Sequence, residues 1–262
     1  MKTERWRALD GGHDTVPIHW RNPRFVEVVP DLFAWDGKTP YEVVDRAWFT
    51  MAICQRHTFK VTTRYPKKAL TYLIKRAPNN GDPTNKEGDP QQPLRNIWLG
   101  VRVSNQQDAN DLIPKLLECP AALRFIECSP LLEDIDLTPQ LLLQHAAVVR
   151  RVSSVEDLQK PGRPHPRIDW VIASGEIGKD ARPSRPDWFR SLRDQCAAAG
   201  VPFFFTGWGE WAPNCLCGTL KPHRELPRPE PGKPGVMFGC GSRRSGRLLD
   251  GVEHNGMPEV KQ

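Results

Sequence analysis

The chain has 262 residues, 39% hydrophobic and 26% charged, with 37 Lys+Arg against 31 Asp+Glu for a formal net charge of +6. That length and balance fit a folded chain with a substantial core and exclude a disordered or fibrous one, and no apolar run approaches the ~20 residues needed to span a bilayer. The start, MKTERWRALDGGHD, lacks the apolar stretch of a signal peptide, and 7 cysteines, an odd number, are scattered along the chain; a cytoplasmic protein in a reducing compartment, with no membrane partner, is therefore expected.

Residues 1–20 carry Gly11-Gly12, several charges and no periodicity, and are read as an irregular arm. A βα rhythm then begins. Phe25 to Val29 is a short apolar strand, and Thr39-Pro40 opens a helix whose Val44, Trp48 and Met51 share one face. Thr58 to Thr62 is the next strand, followed by a helix with Leu70, Leu73 and Ile74 on one face. Residues 77–93, rich in Pro, Asn, Gly and Asp, are a polar insertion. Asn96 to Val103 and Leu123 to Cys128 are two further strands around a helix over Gln107 to Glu118, which contains Pro114. Thr138-Pro139 opens another apolar helical stretch running through Val148, and residues 153–166 form a loop. Ile168 to Ala173 and Val201 to Phe205 are apolar runs that end in Ser174-Gly175 and Thr206-Gly207. Between them Trp188, Leu192, Cys196 and Ala199 recur at near-helical spacing, and Gly200 stands where a C-cap glycine belongs.

About six strands separated mostly by helices define an α/β fold with a parallel sheet, either doubly wound or curled into a barrel. The chain divides on this reading into an arm (1–20), a (β/α) barrel domain (21–211) and a Pro-, Gly- and Arg-rich extension (212–262).

Ordered blocks carry a resemblance. PDLF at Pro30 to Phe33, HTFKVTTRYP from His57, IWLGVRVSNQ from Ile97, RFIECSPLL from Arg124, then IDWVIASGE, ARPSRPDWFRSLRDQC, GVPFFFTGWGEW and GRLLDG follow in one order from about Trp20 to Pro258. In these the chain resembles a phage-associated three-cysteine-motif family of unknown function with radical-SAM-like character. The resemblance implies a partial TIM-like (β/α) barrel, a [4Fe–4S] cluster and S-adenosylmethionine. The three closely spaced N-terminal cysteines that would hold the cluster are absent from residues 1–24, and the first cysteine is Cys54. Ser129 stands where the family tends to have a glutamate, and Thr206 and Gly207 where it has a lysine and a glutamine. No cofactor is therefore expected for this chain. It is read as a divergent, truncated member binding a nucleotide, a nucleic acid, or a phage or host protein. The alternative is an active radical-SAM-type enzyme acting on a nucleotide or nucleic acid, should the gene start be misplaced.

Candidate site residues gather after the strands, where α/β folds place their chemistry. After the fifth expected strand, Ser174, Gly175 and Glu176 offer a hydroxyl, a backbone open to close approach and a carboxylate for a cation, an amine or a ribose hydroxyl. Trp208 and Glu210, with Trp211, either stack and hydrogen-bond a base or pack as a plug. Asp31, Arg64, Asn105 and Arg182 reach the same ends, and the two guanidiniums suit phosphate or carboxylate. Cys215, Cys217, His223 and Cys240 are the only set with zinc-ligand chemistry; their C-x-C spacing and the long gap to Cys240 are unlike the common knuckle, and no metal is favoured. His57 and His145 read as structural or surface residues, and the chain has no phosphate loop, nucleophile elbow or dinucleotide fingerprint.

Overall fold

Apolar runs that read as buried on both faces take their places in one parallel sheet. The computed structural model describes residues 3–8, 16–34, 41–75, 93–142, 167–213, 223–225 and 236–259. Its main sheet has seven strands: β1 (Thr3–Arg7), β2 (Phe25–Val29), β3 (Thr58–Thr63), β4 (Ile97–Val103), β5 (Leu123–Cys128), β6 (Trp170–Ser174) and β7 (Phe203–Gly207). They lie in sequence order. A doubly wound sheet reverses its strand order partway across, so the sequential order is that of a partial (β/α) barrel. The helices are α1 (Tyr41–Ile53), α2 (Pro66–Lys75), α3 (Gln106–Glu118), α4 (Thr138–Leu142) and α5 (Pro186–Ala198), with a 3-10 turn over Val16–His19. Among the described residues no helix is long and apolar enough to cross a membrane.

Contacts group the chain into two units: Met1–Arg102 with Asp111–Phe125 and Gln144–Ile168, and Val103–Asn110 with Ile126–Leu143 and Asp169–Gln262. In the first, β1 pairs parallel with β2 in the register Thr3↔Phe25 through Arg7↔Val29. This strand lies within the stretch expected to be irregular. Its single buried aromatic, Trp6, packs at 5.8 Å from Phe59 on β3, a long-range contact that a five-residue segment with three alternating polar positions does not advertise. It makes the strands seven where about six were expected. Behind the sheet, Phe33, Trp48 and Tyr72 form an aromatic cluster with ring separations of 5.6–6.5 Å. On α2 Ala69, Tyr72 and Leu73 are buried, while Ile74 is exposed. The inward face is turned toward the tyrosine, whose hydroxyl donates to Asp45 Oδ1 at 3.0 Å.

In the second unit α5 buries Phe189, Leu192 and Cys196, so Phe189 takes the inward position expected of Trp188. It meets Phe205 at 4.9 Å and Trp208 at 5.3 Å. The helix ends as its glycine predicts: Gly200 has φ +64°, its N–H donates to Ala197 O, and Val201 N–H reaches Cys196 O at 2.9 Å, which is a Schellman motif. Beyond Trp211, where no pattern is expected from sequence, there are a three-stranded antiparallel sheet of β8 (Trp211–Ala212), β10 (Val236–Gly239) and β9 (His223–Glu225), and a hairpin of β11 (Leu248–Leu249) and β12 (Val252–Glu253). These strands of two to four residues are too short to show a period. Residues 254–256 then run antiparallel beside β7: Phe205 N–H donates to His254 O, and Gly256 N–H to Phe203 O. Thr39-Pro40, most of the 77–93 insertion, the helical continuation through Val148 with His145, and the 153–166 loop lie outside the described residues.

Candidate functional site

In the second unit four successive strands finish in hydroxyl residues: Ser104 after β4, Ser129 after β5, Ser174 at the end of β6 and Thr206 in β7. Residues following β5 lace these ends together, since Leu131 N–H donates to Ser174 O and Leu132 N–H to Ser104 O, at 2.9 and 3.0 Å. The side chains of Ser129 and Ser174 meet directly, Oγ to Oγ at 2.6 Å. One hydroxyl donates to the other, which keeps its own hydrogen to offer elsewhere. Thr206 Oγ1 donates to Ala173 O at 3.3 Å, and the buried Ser184 hydroxyl to Leu131 O at 2.6 Å.

Glu176 is engaged by the residue expected to bind anions. Arg182 donates to its carboxylate from Nε (2.9 Å), Nη2 (2.8 Å) and its own backbone N–H (2.7 Å). These bonds from Arg182 hold the Glu176 carboxyl below the usual carboxylate range despite some burial. Gly175 is a place of close backbone approach, but the backbone that approaches is the protein's own. A Cβ there would collide with the carbonyl of Trp208, as one on Gly209 would with that of Glu176. The crossing is fixed by Glu210 N–H to Glu176 O at 2.8 Å. Trp208 is buried, with its indole N–H donated to Leu248 O at 3.0 Å. Trp211 donates its indole N–H to Ala181 O at 2.7 Å. Glu210 accepts from Gly178 N–H through Oε1 and from Ser242 N–H through Oε2, at 3.3 and 3.2 Å. Glu210 and both tryptophans thus fasten the segments that follow β6 and β7.

Asn105 is the N-cap of α3, its Oδ1 accepting Asp108 N–H at 2.7 Å, while Asp108 reaches back to Ser104 N–H at 3.0 Å. In the first unit Asp31 clamps the ends of β2 and β3. Its Oδ1 accepts Phe33 N–H at 2.9 Å, and its Oδ2 accepts the Thr63 hydroxyl and the Arg64 N–H at 3.0 and 2.9 Å.

One cluster in this unit was not anticipated. Glu27 and Lys60 are register partners at the centres of β2 and β3, with Nζ to Oε1 at 3.2 Å, and Arg5 Nε adds a bond to Oε2 at 2.9 Å. Lys60 is buried and lies 5.6 Å from the Phe125 ring centroid. Burial alone would raise the Glu27 pKa, but Lys60 and then Arg5 outweigh it and lower it. The signal was present: opposite charges inside two strand-forming runs, FVEVV and TFKVTT.

An iron–sulfur cluster is held by thiolates gathered close together. Cys54, Cys119, Cys128 and Cys196 are buried and free. Burial raises each thiol, those of Cys119 and Cys196 to about 12. Cys240, counted above among zinc-ligand candidates, is disulfide-bonded. Cys215 and Cys217 lie outside the described residues, as does the side chain of His223, and among the described residues no group of three His, Cys, Asp or Glu could hold a metal.

A parallel sheet wound in sequence order, with hydroxyls and an internally compensated ion pair at its strand ends, defines an α/β protein of partial-barrel topology. Residues 2–258 match the family described as "Protein of unknown function (DUF5131)", and the chain belongs to that family. No match was found among curated proteins or among solved structures.

Proposed function

We propose that this chain is a binding member of its family, holding a nucleotide or a nucleic-acid nucleotide unit at the strand ends of β5 and β6, and that it runs no iron–sulfur chemistry. The Ser129–Ser174 hydroxyl pair is the observation behind this reading. Uncharged hydroxyls supply a donor and acceptors suited to a ribose, and the Glu176–Arg182 pair beside Ser174 adds polarity without a net charge. Radical-SAM descent, phage association and a cytoplasmic setting belong to the same proposal. The sequential strand order supports the descent, while the disulfide-bonded Cys240 runs against the reducing setting expected from the cysteine count.

Calorimetric titration of the full chain with a panel of nucleosides, nucleotides and short oligonucleotides tests it. At least one ribose-containing ligand should bind, and replacing Ser129 and Ser174 together by alanine should weaken it by about tenfold, the worth of one or two hydrogen bonds. Binding by neither protein, or equal binding by a folded double variant, overturns the assignment. Anaerobic iron–sulfur reconstitution checks the second half: the protein should retain no visible charge-transfer absorbance, and several irons per chain would restore the enzyme alternative.

A further inference from the structure

We propose that His57 is an acid-sensitive latch on Arg24, accepting its backbone N–H beside the start of β3 when neutral and giving up that bond when protonated, while the Pro17 end stays tied. The imidazole is fully buried. Its Nδ1 accepts the backbone N–H of Arg24 at 3.2 Å, and its Nε2 lies 3.0 Å from the carbonyl of Pro17. Only the neutral tautomer with its hydrogen on Nε2 serves both partners. Adding a proton at Nδ1 sets two hydrogens against each other, so the Arg24 N–H loses its acceptor inside the protein.

The surroundings oppose that proton. The facing charges are guanidiniums: Arg24, and Arg56, whose Nε lies 3.4 Å from Nε2. Glu4 on β1 neutralises part of the first by pairing with Arg24 Nη1 at 2.9 Å. The other walls are the rings of Trp20 and Phe59, edge-on at 5.6 and 6.2 Å. Burial is the largest influence and lowers the His57 pKa; the carbonyls of Pro17 and Trp20 pull it upward, and the two arginines push it down. Because the folded value is depressed, the latch contributes its full stability above the ordinary histidine pKa near ~6.5. That contribution falls as pH drops from there toward the folded value.

The retained Pro17 end borders an open cleft. Ile18, Ile53, Cys54, Gln55 and Arg56 line it, and Arg56 Nη2 bridges its rim to Ile18 O at 2.8 Å. Protonation leaves both the Pro17 bond and that surface bridge in place, so the cleft keeps its rim and the loosening is confined to Arg24.

Amide hydrogen exchange on the full chain, read beside an NMR titration of the His57 ring from about pH 7.5 to about pH 4.5, tests the latch. After correction for intrinsic rates, protection of the Arg24 amide should fall by about tenfold or more, with a midpoint that tracks His57, while β6 and β7 amides hold. His57→Gln, which hydrogen-bonds without titrating, should remove the pH dependence. Undiminished Arg24 protection down to the lowest pH, or an equal acid loss in folded H57Q, overturns the proposal. Should H57Q fail to fold, the agreement or disagreement of the two parent midpoints decides it.

Discussion

Glu27 and Lys60 face each other from the centres of adjacent strands, Lys60 buried and Glu27 half-buried with its second oxygen on the exposed Arg5. Removing one partner leaves a charge with less compensation away from bulk water, which is the costly way to break such a pair. Lys60→Met should therefore destabilise the protein by about 3 kcal/mol in urea unfolding, the lower end of the usual range because Arg5 still contacts Glu27. Glu27→Gln with Lys60→Met should recover most of the loss; no recovery would show that packing, not charge, was lost. Glu27 also sets a pH dependence. Its folded pKa lies below the unfolded carboxylate value, so its contribution is complete above ~4.5 and is lost as pH falls through the folded value. Denaturation midpoints of the parent should fall below about pH 4.5, and those of K60M should fall less steeply. A parallel decline in both proteins would assign the acid sensitivity to other groups.

At the level of elements, the joint where residues 175–176 cross 208–210 has no space for a Cβ at Gly175 or Gly209. Gly175→Ala should cost about 3 kcal/mol, because backbone rather than a flexible side-chain tip must move. A stable G175A, seen by thermal melting, would mean that the crossing can open. Asp250 makes a contrasting tie: its carboxylate binds Arg190 on three contacts and Arg193 on one, from a residue at φ +55°. Asparagine tolerates that conformation, so Asp250→Asn isolates the charge. The loss should stay within about 1 kcal/mol and shrink in 1 M salt, as exposed ion pairs do. An unscreened loss would show that the hairpin depends on hydrogen-bond geometry instead.

These joints explain which parts could be read in advance. Apolar runs bounded by Gly, Pro and Ser, such as IDWVIASG, declare their strands because burial on both faces leaves few polar residues. Thr3–Arg7 did not, since its one inward aromatic, Trp6, acquires meaning only beside Phe59. Gly175 was legible as a tight approach, though nothing local reveals that Trp208 fills it. Glu176 and Arg182 were legible as separate polar groups, while their mutual bonds depend on the loop between them. The Ser129–Ser174 contact joins strands 45 positions apart, and that distance only the fold can close.

For the whole molecule, the sequential order of the seven strands leaves two edges, β1 and β7. Residues 254–256 cover part of the β7 edge, and Trp170 reinforces the cover by donating its indole N–H to Gly256 O at 2.8 Å. A chain shortened to end at Gly251 should expose Phe203 to Phe205 as a pairing edge. Light scattering should then report a larger, concentration-dependent mass than for the full chain; an unchanged mass would mean that the edge protects itself. The same cover has a consequence in time. His254, which accepts the Phe205 amide hydrogen, follows Phe205 by about fifty residues. At roughly 5–20 residues per second, a nascent chain carries a finished β7 for roughly 3–10 s before its cover is even synthesised. During that interval the β7 edge cannot be capped by its own chain, so its protection has to wait on synthesis rather than on the stability of the finished fold.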